Sequence, residues 1–476
     1  MKIFDRIYGE MQFPRIIADL LFCPGLLRLR DVRMANNQFA AFPSFASTSR
    51  YEHSVGVCYL AGKCAAHLGL SEIETLELMI ACLYHDVGTP PFAHAMEEVL
   101  ESQFGFDHEE NLKQLIIGNS GEFDYDMPQI YQDKELKLKS ICQKANKKGI
   151  KIDLDRIARI ATGDPSEPLS NLVSGNGMDL DNIDNIIRAS TAMGIFDDSY
   201  MPDPRKLAYR LSRAFVIKNN RIYYDNSCRF EIGQWQRMRD IQYSAIFESK
   251  EDFSYQTMIK QAIHLLINYP ESGYEISKKA WRMTDSSFTN DYLLKHSKSS
   301  VLMKRVLRCE PYNCLGVLYV HGDNIIKYVN THLSEIEREV SDYYITTKHY
   351  SEDKDKEMRE LLITKSVVVN FFPDKRRRSL ERYFADYDVD NEIIHTQGIL
   401  LGLFTPLSMR SYKTTEENGH KVRRSISNNH NVLKEIIRLL SEGCLNGFSI
   451  KEYRSESNAR TNNENTGTDQ LGFFGL

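Results

Sequence analysis

Residues 53–69 (HSVGVCYLAGKCAAHLG) place apolar side chains at helical spacing with small residues between them, which predicts a helix packed closely on its neighbours. Residues 72–85 (EIETLELMIACLYH) repeat the amphipathic period and predict a second helix. That helix stops at Asp86-Val-Gly-Thr-Pro-Pro, because glycine and paired prolines cannot continue it. Phe92 to Phe104 predicts a third helix, 153–162 a short one, and the stretch from Asp181 through Ile195 another. Between them, 119–126 and the lysine-rich 143–152 read as polar loops, and 163–168 (GDPSEP) as a turn. Near 214–225, FVIKNNRIYY alternates about a central Asn-Asn, which predicts a β-hairpin, since asparagine tolerates the left-handed backbone of tight turns.

Helical periods resume from about 234 to 345. The pattern then changes. A charge-dense stretch at 346–360 leads into a β-branched run (LLITKSVVVNFF) and a basic cluster, Lys375 to Arg378. This divides the chain into a mainly helical core at 1–345, a mixed α/β region at 346–455 suited to regulation or oligomerisation, and a tail at 456–476 too polar to fold alone. The expected fold class is mainly α: a helical bundle with a small β insertion and a mixed C-terminal region. His67, within the apolar period of the first helix, reads as structural.

A chain of 476 residues is ample for a large buried core. Its net charge of −5 gives no whole-chain basic field, so a nucleic-acid partner is not supported. The run Lys375–Arg378 is the local exception: it offers phosphate contacts to an effector or a nucleic acid, or is simply a solvated surface. No stretch reaches about 18 uninterrupted apolar residues, and the first thirty residues are charged throughout, unlike a signal peptide, so a cytoplasmic protein without membrane contact is expected. Nine scattered cysteines form no CxxC pair and read as reduced thiols.

The residues that carry chemistry sit early. Five of the thirteen histidines fall between positions 53 and 108. His85–Asp86 ends an apolar helix where Gly88, Pro90 and Pro91 bend the chain, so two adjacent side chains can converge on one ion. Imidazole with carboxylate suits Fe, Mn, Ni or Zn and, with more oxygen, Mg. His53 lies on the preceding helix, and Asp179, Asp181 and Asp184 stand at the mouth of a later one, where at least one can face inward. Taken singly, His53 reads as a helix-start or core histidine and Asp179 or Asp181 as a helix cap. Together, in this order and with the Gly-Pro-Pro break, they point to a divalent-metal site.

The segments SRYEHSVGVCYLAG, LYHDVGTPPFAH, DHEEN and LVSGNGMDLDNIDNIIRAS resemble the HD-domain deoxynucleoside triphosphate triphosphohydrolases, the family of the bacterial dGTPases and the animal SAM-and-HD-domain protein. RLRDVR (28–33), FPSFAS (42–47), MTDSSF (283–288) and LRCEPY (307–312) also fit. The resemblance implies that His53, His85, Asp86 and Asp181 hold the metal, Asp181 matching the second aspartate of the family's DxD segment. His108 matches the family's catalytic histidine, a general acid toward the departing 5′ oxygen. His94 would contact the phosphates beside it, and Glu97 would orient both. Arg50 and Lys250 match positions that line the site or bind phosphate. Magnesium would accompany the substrate phosphates.

The resemblance further implies a deoxynucleoside triphosphate substrate, release of inorganic triphosphate, a homo-oligomer, a nucleotide effector and a role in antiviral (phage) defence. The chain also departs from the family. Thr89 replaces a histidine of the animal protein. Asn185 and Ala189 stand where a tyrosine and an aspartate often contact phosphate and sugar. Met258 stands where a tyrosine often lies under the deoxyribose, with Tyr255 nearby. The altered sugar pocket keeps open an HD phosphohydrolase acting on another nucleotide. A nucleotide or nucleic-acid sensor with a structural metal site is the third reading.

Overall fold

The computed structural model describes residues 1–35, 42–118, 138–175, 177–195, 203–219, 221–346, 367–373, 384, 398–405, 411–417, 420–426 and 429–453. The basic run 375–378, the tail 456–476 and most of the charge-dense stretch 346–360 lie outside them. Two compact units emerge: the described residues of Met1–Tyr243, Glu251–Pro311 and Lys375–Ile393 form one, and those of Ser244–Lys250, Tyr312–Asp374 and Ile394–Leu476 the other.

The first unit opens with an antiparallel hairpin, β1 (Lys2–Asp5) with β2 (Gly9–Gln12), that the sequence pattern did not announce. Its centre is helix α1 (Arg50–Leu68). Ser49 caps the helix by accepting from the Glu52 N–H, and Gly69, at φ 67°, ends it in the left-handed region. Every residue from His53 to Ala61 is buried, so this helix is enclosed all round. The small residues Ser54, Gly56, Cys58 and Ala61 permit that close packing. A capping box of Ser71 and Glu74 starts α2 (Glu72–Tyr84), which packs along α1. Helices α3 (His94–Phe104) and α4 (His108–Ile117) follow, then α5 (Leu138–Lys147), α6 (Leu154–Ala161) and α7 (Leu180–Met193). α7 packs on α1, and α6 on α2 and α4. The expected hairpin is present as β3 (Phe215–Lys218) with β4 (Arg221–Tyr224). Two long helices come next, α8 (Arg229–Glu248) and α9 (Lys250–Asn268).

Three expectations are corrected. The lysine-rich stretch expected as a loop over 143–152 is helical to Lys147: Leu138, Ile141, Cys142 and Ala145 form a buried stripe, and the lysines lie along the solvent side. His67 is exposed in the last turn of α1, because that helix emerges from the core there. The helical run expected to 345 is interrupted by strand β5 (Asn313–His321).

That strand belongs to the second unit. β5 pairs antiparallel with β7 (Gly398–Thr405), which pairs antiparallel with β6 (Val368–Pro373). A short β8 (Ser449–Glu452) lies on the other side of β5, giving the order β8-β5-β7-β6. Helices α10 (Ile325–Thr346) and α11 (Asn429–Glu442) contribute Ile336, Val340, Ile436 and Leu440 to a core shared with Leu318, Leu401 and Leu403 of the sheet. The mixed α/β region therefore begins near 312 and not at the expected 346, since α10 packs on a sheet whose first strand precedes it.

One buried cation braces the first unit. Arg28, at the end of the short helix Pro24–Arg28, donates from Nη1 to the carbonyls of Trp281 (3.2 Å) and Met283 (2.9 Å). From Nη2 it donates to those of Val87 (3.0 Å) and Thr89 (2.7 Å). It thereby fixes the bend after His85–Asp86. Arg28→Met should strand these carbonyls and lower unfolding stability by roughly 3 kcal/mol, read by urea or thermal denaturation.

Candidate metal centre

Three helix ends deliver the ligands. Ser49 starts α1 so that Arg50 and His53 share its opening turn. His85 caps the C-terminus of α2, and the Val87 and Thr89 N–H groups turn back onto the carbonyls of Tyr84 and Asp86, which swings Asp86 beside His85. Asp179 is the N-cap of α7, accepting from the Asn182 and Gly175 N–H groups. That leaves Asp181, in the first turn, to point inward. Of the three acids in this segment, one caps the helix, one faces the site, and Asp184 lies beneath it.

The four predicted ligands converge. His53 Nε2 lies 2.9 Å from Asp181 Oδ1, His85 Nε2 3.7 Å from both Asp181 Oδ1 and Asp86 Oδ2, and His53 Nε2 3.9 Å from Asp86 Oδ2. Donor atoms of His53, His85 and Asp181 all fall within 4.8 Å of one another. Two of the converging atoms, His85 Nε2 and Asp86 Oδ2, are buried without a hydrogen-bond partner. Orphaned polar atoms of this kind, aimed at a common point from a mixed nitrogen and oxygen set, fit a divalent cation.

The supporting contacts fit the same reading. His85 Nδ1–H donates to the Cys82 carbonyl at 2.7 Å, which leaves the Nε2 lone pair for a ligand. His53 Nδ1–H donates at 2.8 Å to Asp184, which is fully buried. Asp184 in turn accepts from Arg188 Nε (2.8 Å), Arg188 Nη2 (2.9 Å) and the Tyr8 hydroxyl (2.7 Å), and Arg188 also reaches Asp5. Asp86 Oδ1 accepts from Arg50 Nη1 at 2.7 Å and from the Thr89 hydroxyl at 3.1 Å. Asp184 was one of the three candidate acids in the sequence, whereas Arg188 and Tyr8, which support it, were not singled out. Gly56 of α1 faces them, and a Cβ there would collide with the Asp184 carboxylate and the Arg188 guanidinium.

The electrostatics show what the cluster lacks. Burial would raise the pKa of Asp86, Asp181 and Asp184. The guanidiniums of Arg50 and Arg188 and the two imidazoles outweigh it and hold all three below the usual carboxylate range. Burial alone would lower His53, yet Asp181 and Asp184 on its two ring nitrogens push it up to about 10. In the metal-free protein a proton on His53 thus stands where a cation is wanted.

A second group adjoins this one. Glu97 Oε2 accepts from His94 Nδ1 at 2.7 Å, and His108 Nε2 lies 3.8 Å from Glu97 Oε1. Burial would raise Glu97, but the hydrogen bond with His94 and the charges of His94, His108 and Arg50 hold it at about 2. The His94 side chain is 73% exposed, the His108 side chain 32%. Phe92 and Ala93, at φ 57° and 45°, turn the chain into α3. This is a costly backbone for side-chain-bearing residues, and the Asp285 carboxylate holds it by accepting from the Phe92 N–H at 2.9 Å. Asp285, from the MTDSSF segment, also lines a cavity of about 160 Å³ with Arg33, Phe92, Asn290 and Met303.

Asn185 is half-buried on α7 and Tyr255 buried on α9, and neither makes a hydrogen bond or ion pair with the four ligands among the described residues. Lys250 is exposed, the first residue of α9, and falls in the other compact unit.

Metal must displace the His53 proton, so affinity should rise with pH throughout the range below about 10. The expected slope is about tenfold per pH unit for one displaced proton. Manganese titrations of the metal-free protein between about pH 6.5 and 8.5 read this slope, and a flat response would mean that His53 holds no proton for the metal to displace over that range. Gly56→Ala should push Asp184 and Arg188 out of place, lowering stability by roughly 1–3 kcal/mol and weakening metal binding in the same titration.

The HD domain family matches residues 50–161, the stretch from Arg50 through α6. The chain is 38% identical over 141 residues to the deoxynucleoside triphosphate triphosphohydrolase SAMHD1 homolog of Dictyostelium discoideum, covering 27% of each chain. It is 36% identical over 106 residues to the human SAMHD1 enzyme, covering 20% of this chain and 17% of that one. It also matches the uncharacterised Bacillus subtilis protein YdhJ at 32% over 120 residues, 25% of this chain and 34% of the other. The alignments thus span about a quarter or less of the length of the named enzymes. Among solved structures, a hypothetical protein from Aquifex aeolicus aligns with a TM-score of 0.58 at 17% identity, over 85% of this chain and 96% of its own, which shows a shared fold. Residues 50–161 thus match the HD domain family, and this region is similar to the corresponding part of the deoxynucleoside triphosphate triphosphohydrolases.

Proposed function

We propose that this protein hydrolyses deoxynucleoside triphosphates to deoxynucleoside and inorganic triphosphate in a metal-dependent reaction. The observation that carries the reading is the convergence of His53, His85, Asp86 and Asp181 beside a His94–Glu97–His108 cluster. A divalent cation held by those four residues supplies a polarised phosphoryl group and a bound water of lowered pKa.

The chain's own groups do the rest. Arg50 holds Asp86 in its orientation from one side and Thr89 from the other, leaving Oδ2 for the site. Asp184 keeps the His53 ring fixed through Nδ1. Glu97, held ionised, draws the imidazoles of His94 and His108 to the same side. His108 Nε2, buried and without a partner, gives its proton to the departing 5′ oxygen of the sugar. His94, open to solvent, meets the phosphate chain as it enters. The 160 Å³ cavity beside Phe92 is too small to hold a whole nucleotide, given the usual ligand pocket of about 300–1,000 Å³.

Asn185 and Ala189, in place of the family's tyrosine and aspartate, favour a second reading in which the same site takes another nucleotide. Both readings are compatible with a homo-oligomer and a nucleotide effector.

The metal-loaded protein should be incubated with each deoxynucleoside triphosphate, singly and mixed, beside ribonucleotides and nucleoside monophosphates, and the products resolved by chromatography. Deoxynucleoside and intact triphosphate are expected. The double variant His85→Ala/Asp86→Ala should abolish them. His108→Ala should lower kcat by about 10²–10⁴ with metal content unchanged. Metal-loaded protein that turns over none of the deoxynucleotides, alone or mixed, would overturn the first reading, and turnover of another nucleotide would establish the second.

A further inference from the structure

The opening turn of α4 carries a second polar side chain beside His108. Asn111 follows it by three residues, so the two share one face of the helix. Asn111 Nδ2 is buried without a hydrogen-bond partner, as is His108 Nε2. Both atoms converge on Gly88, two residues past the ligand Asp86. A Cβ at Gly88 would lie 3.2 Å from Asn111 Nδ2 and 3.8 Å from His108 Nε2, with Leu115 Cδ1 at 3.8 Å as an apolar wall. Gly88 is not among the glycines in the left-handed region, so what glycine provides here is space.

An amide donor buried without an acceptor is costly, and a folded protein keeps one where a partner arrives later. That partner must be an acceptor, since Nδ2 can only donate. Arg50, His94 and His108 all act on Glu97, so basic groups surround the position beside His108 and favour an anion. We propose that Asn111 is a substrate-contacting residue whose Nδ2–H donates to a phosphate oxygen next to the atom that His108 protonates, in room left by the missing side chain of Gly88. The inference rests on the phosphohydrolase reading of the site and adds to it a donor that does not titrate beside one that does.

The test uses the full-length, metal-loaded protein. Calorimetric affinity for inorganic triphosphate is compared among the unmodified protein, Asn111→Ala and Asn111→Asp, with melting temperature, metal content and dNTP turnover measured alongside. Asn111→Ala is expected to weaken triphosphate binding roughly tenfold, the effect of one hydrogen bond to a charged acceptor. Its melting temperature should not fall, because Nδ2 has no hydrogen-bond partner among the described residues of the free protein. Asn111→Asp should bind more weakly still, since a carboxylate repels the anion. Unchanged affinity in both variants, or a loss that tracks a falling melting temperature, overturns the proposal, as does an unmodified protein that binds no triphosphate. If that protein binds triphosphate in an Asn111-dependent way but turns over no deoxynucleotide, the proposal stands and the triphosphohydrolase reading falls. If turnover is robust and indifferent to Asn111, the reverse holds.

Discussion

Asp184 sits at no solvent-accessible surface, accepts from His53, Arg188 and Tyr8, and is the carboxylate on which the rest of the first unit depends. A buried carboxylate is tolerated only when it is paired and hydrogen-bonded. The pairing here recruits distant parts of the chain: Asp5 and Tyr8 from the N-terminal hairpin and its turn, His53 and Gly56 from α1, Arg188 one turn along α7. Each is needed by the next. Arg188 needs both Asp184 and Asp5 to be buried, and α1 can approach α7 closely only because residue 56 has no side chain. The N-terminal hairpin thereby becomes part of the site it never touches, because it supplies the acid that keeps Arg188 in place.

The same network sets the charge available to a ligand. Asp5, Asp86, Asp181 and Asp184 face Arg50 and Arg188, and the excess of carboxylate is what drives the His53 pKa upward. A divalent cation in place of that proton would satisfy Asp181, His85 Nε2 and Asp86 Oδ2 at once. Proton and metal are alternative occupants of one position, distinguished by how many unsatisfied atoms each can meet.

That His53, His85–Asp86 and an aspartate of the later helix would come together was legible in the sequence because the logic is local. A helix that stops at Gly-Pro-Pro must present His85–Asp86 at its end, and α7 must begin near a run of aspartates. The choice among those aspartates was not legible from spacing. Asp179, Asp181 and Asp184 are all plausible caps or ligands, and only the backbone N–H groups of Gly175 and Asn182 decide that Asp179 caps. Asp184 and Arg188, at i and i+4, look like an ordinary surface ion pair on a helix, and their burial is a tertiary fact. The strand Asn313–His321 escaped for a related reason. Its apolar residues carry no period that separates a short buried strand from a helix segment, and its pairing partners lie far along the chain, in Gly398–Thr405 and Ser449–Glu452. Helix α5 escaped because lysines at its end read as a loop until the stripe Leu138, Ile141, Cys142 and Ala145 is seen to be covered.

The site divides its labour between charge that is fixed and charge that moves. On the side of His53 and His85, guanidinium and imidazole partners outweigh burial and hold the three carboxylates Asp86, Asp181 and Asp184 ionised. On the other side, His94 and His108 stand around a single ionised acid, Glu97, and the ring of His94 is open to solvent. Arg50 belongs to both, bonded to Asp86 and close enough to Glu97 to help hold it ionised. A hydrolase that must bind a polyanion and still deliver a proton to its leaving group needs that separation. A proton source inside the carboxylate cluster would be captured by it, as the proton on His53 is. In the proposed reaction the proton donor His108 stands on a different helix, facing Gly88 beyond the bend after Asp86, so it is not built into the carboxylate cluster of Asp181 and Asp184.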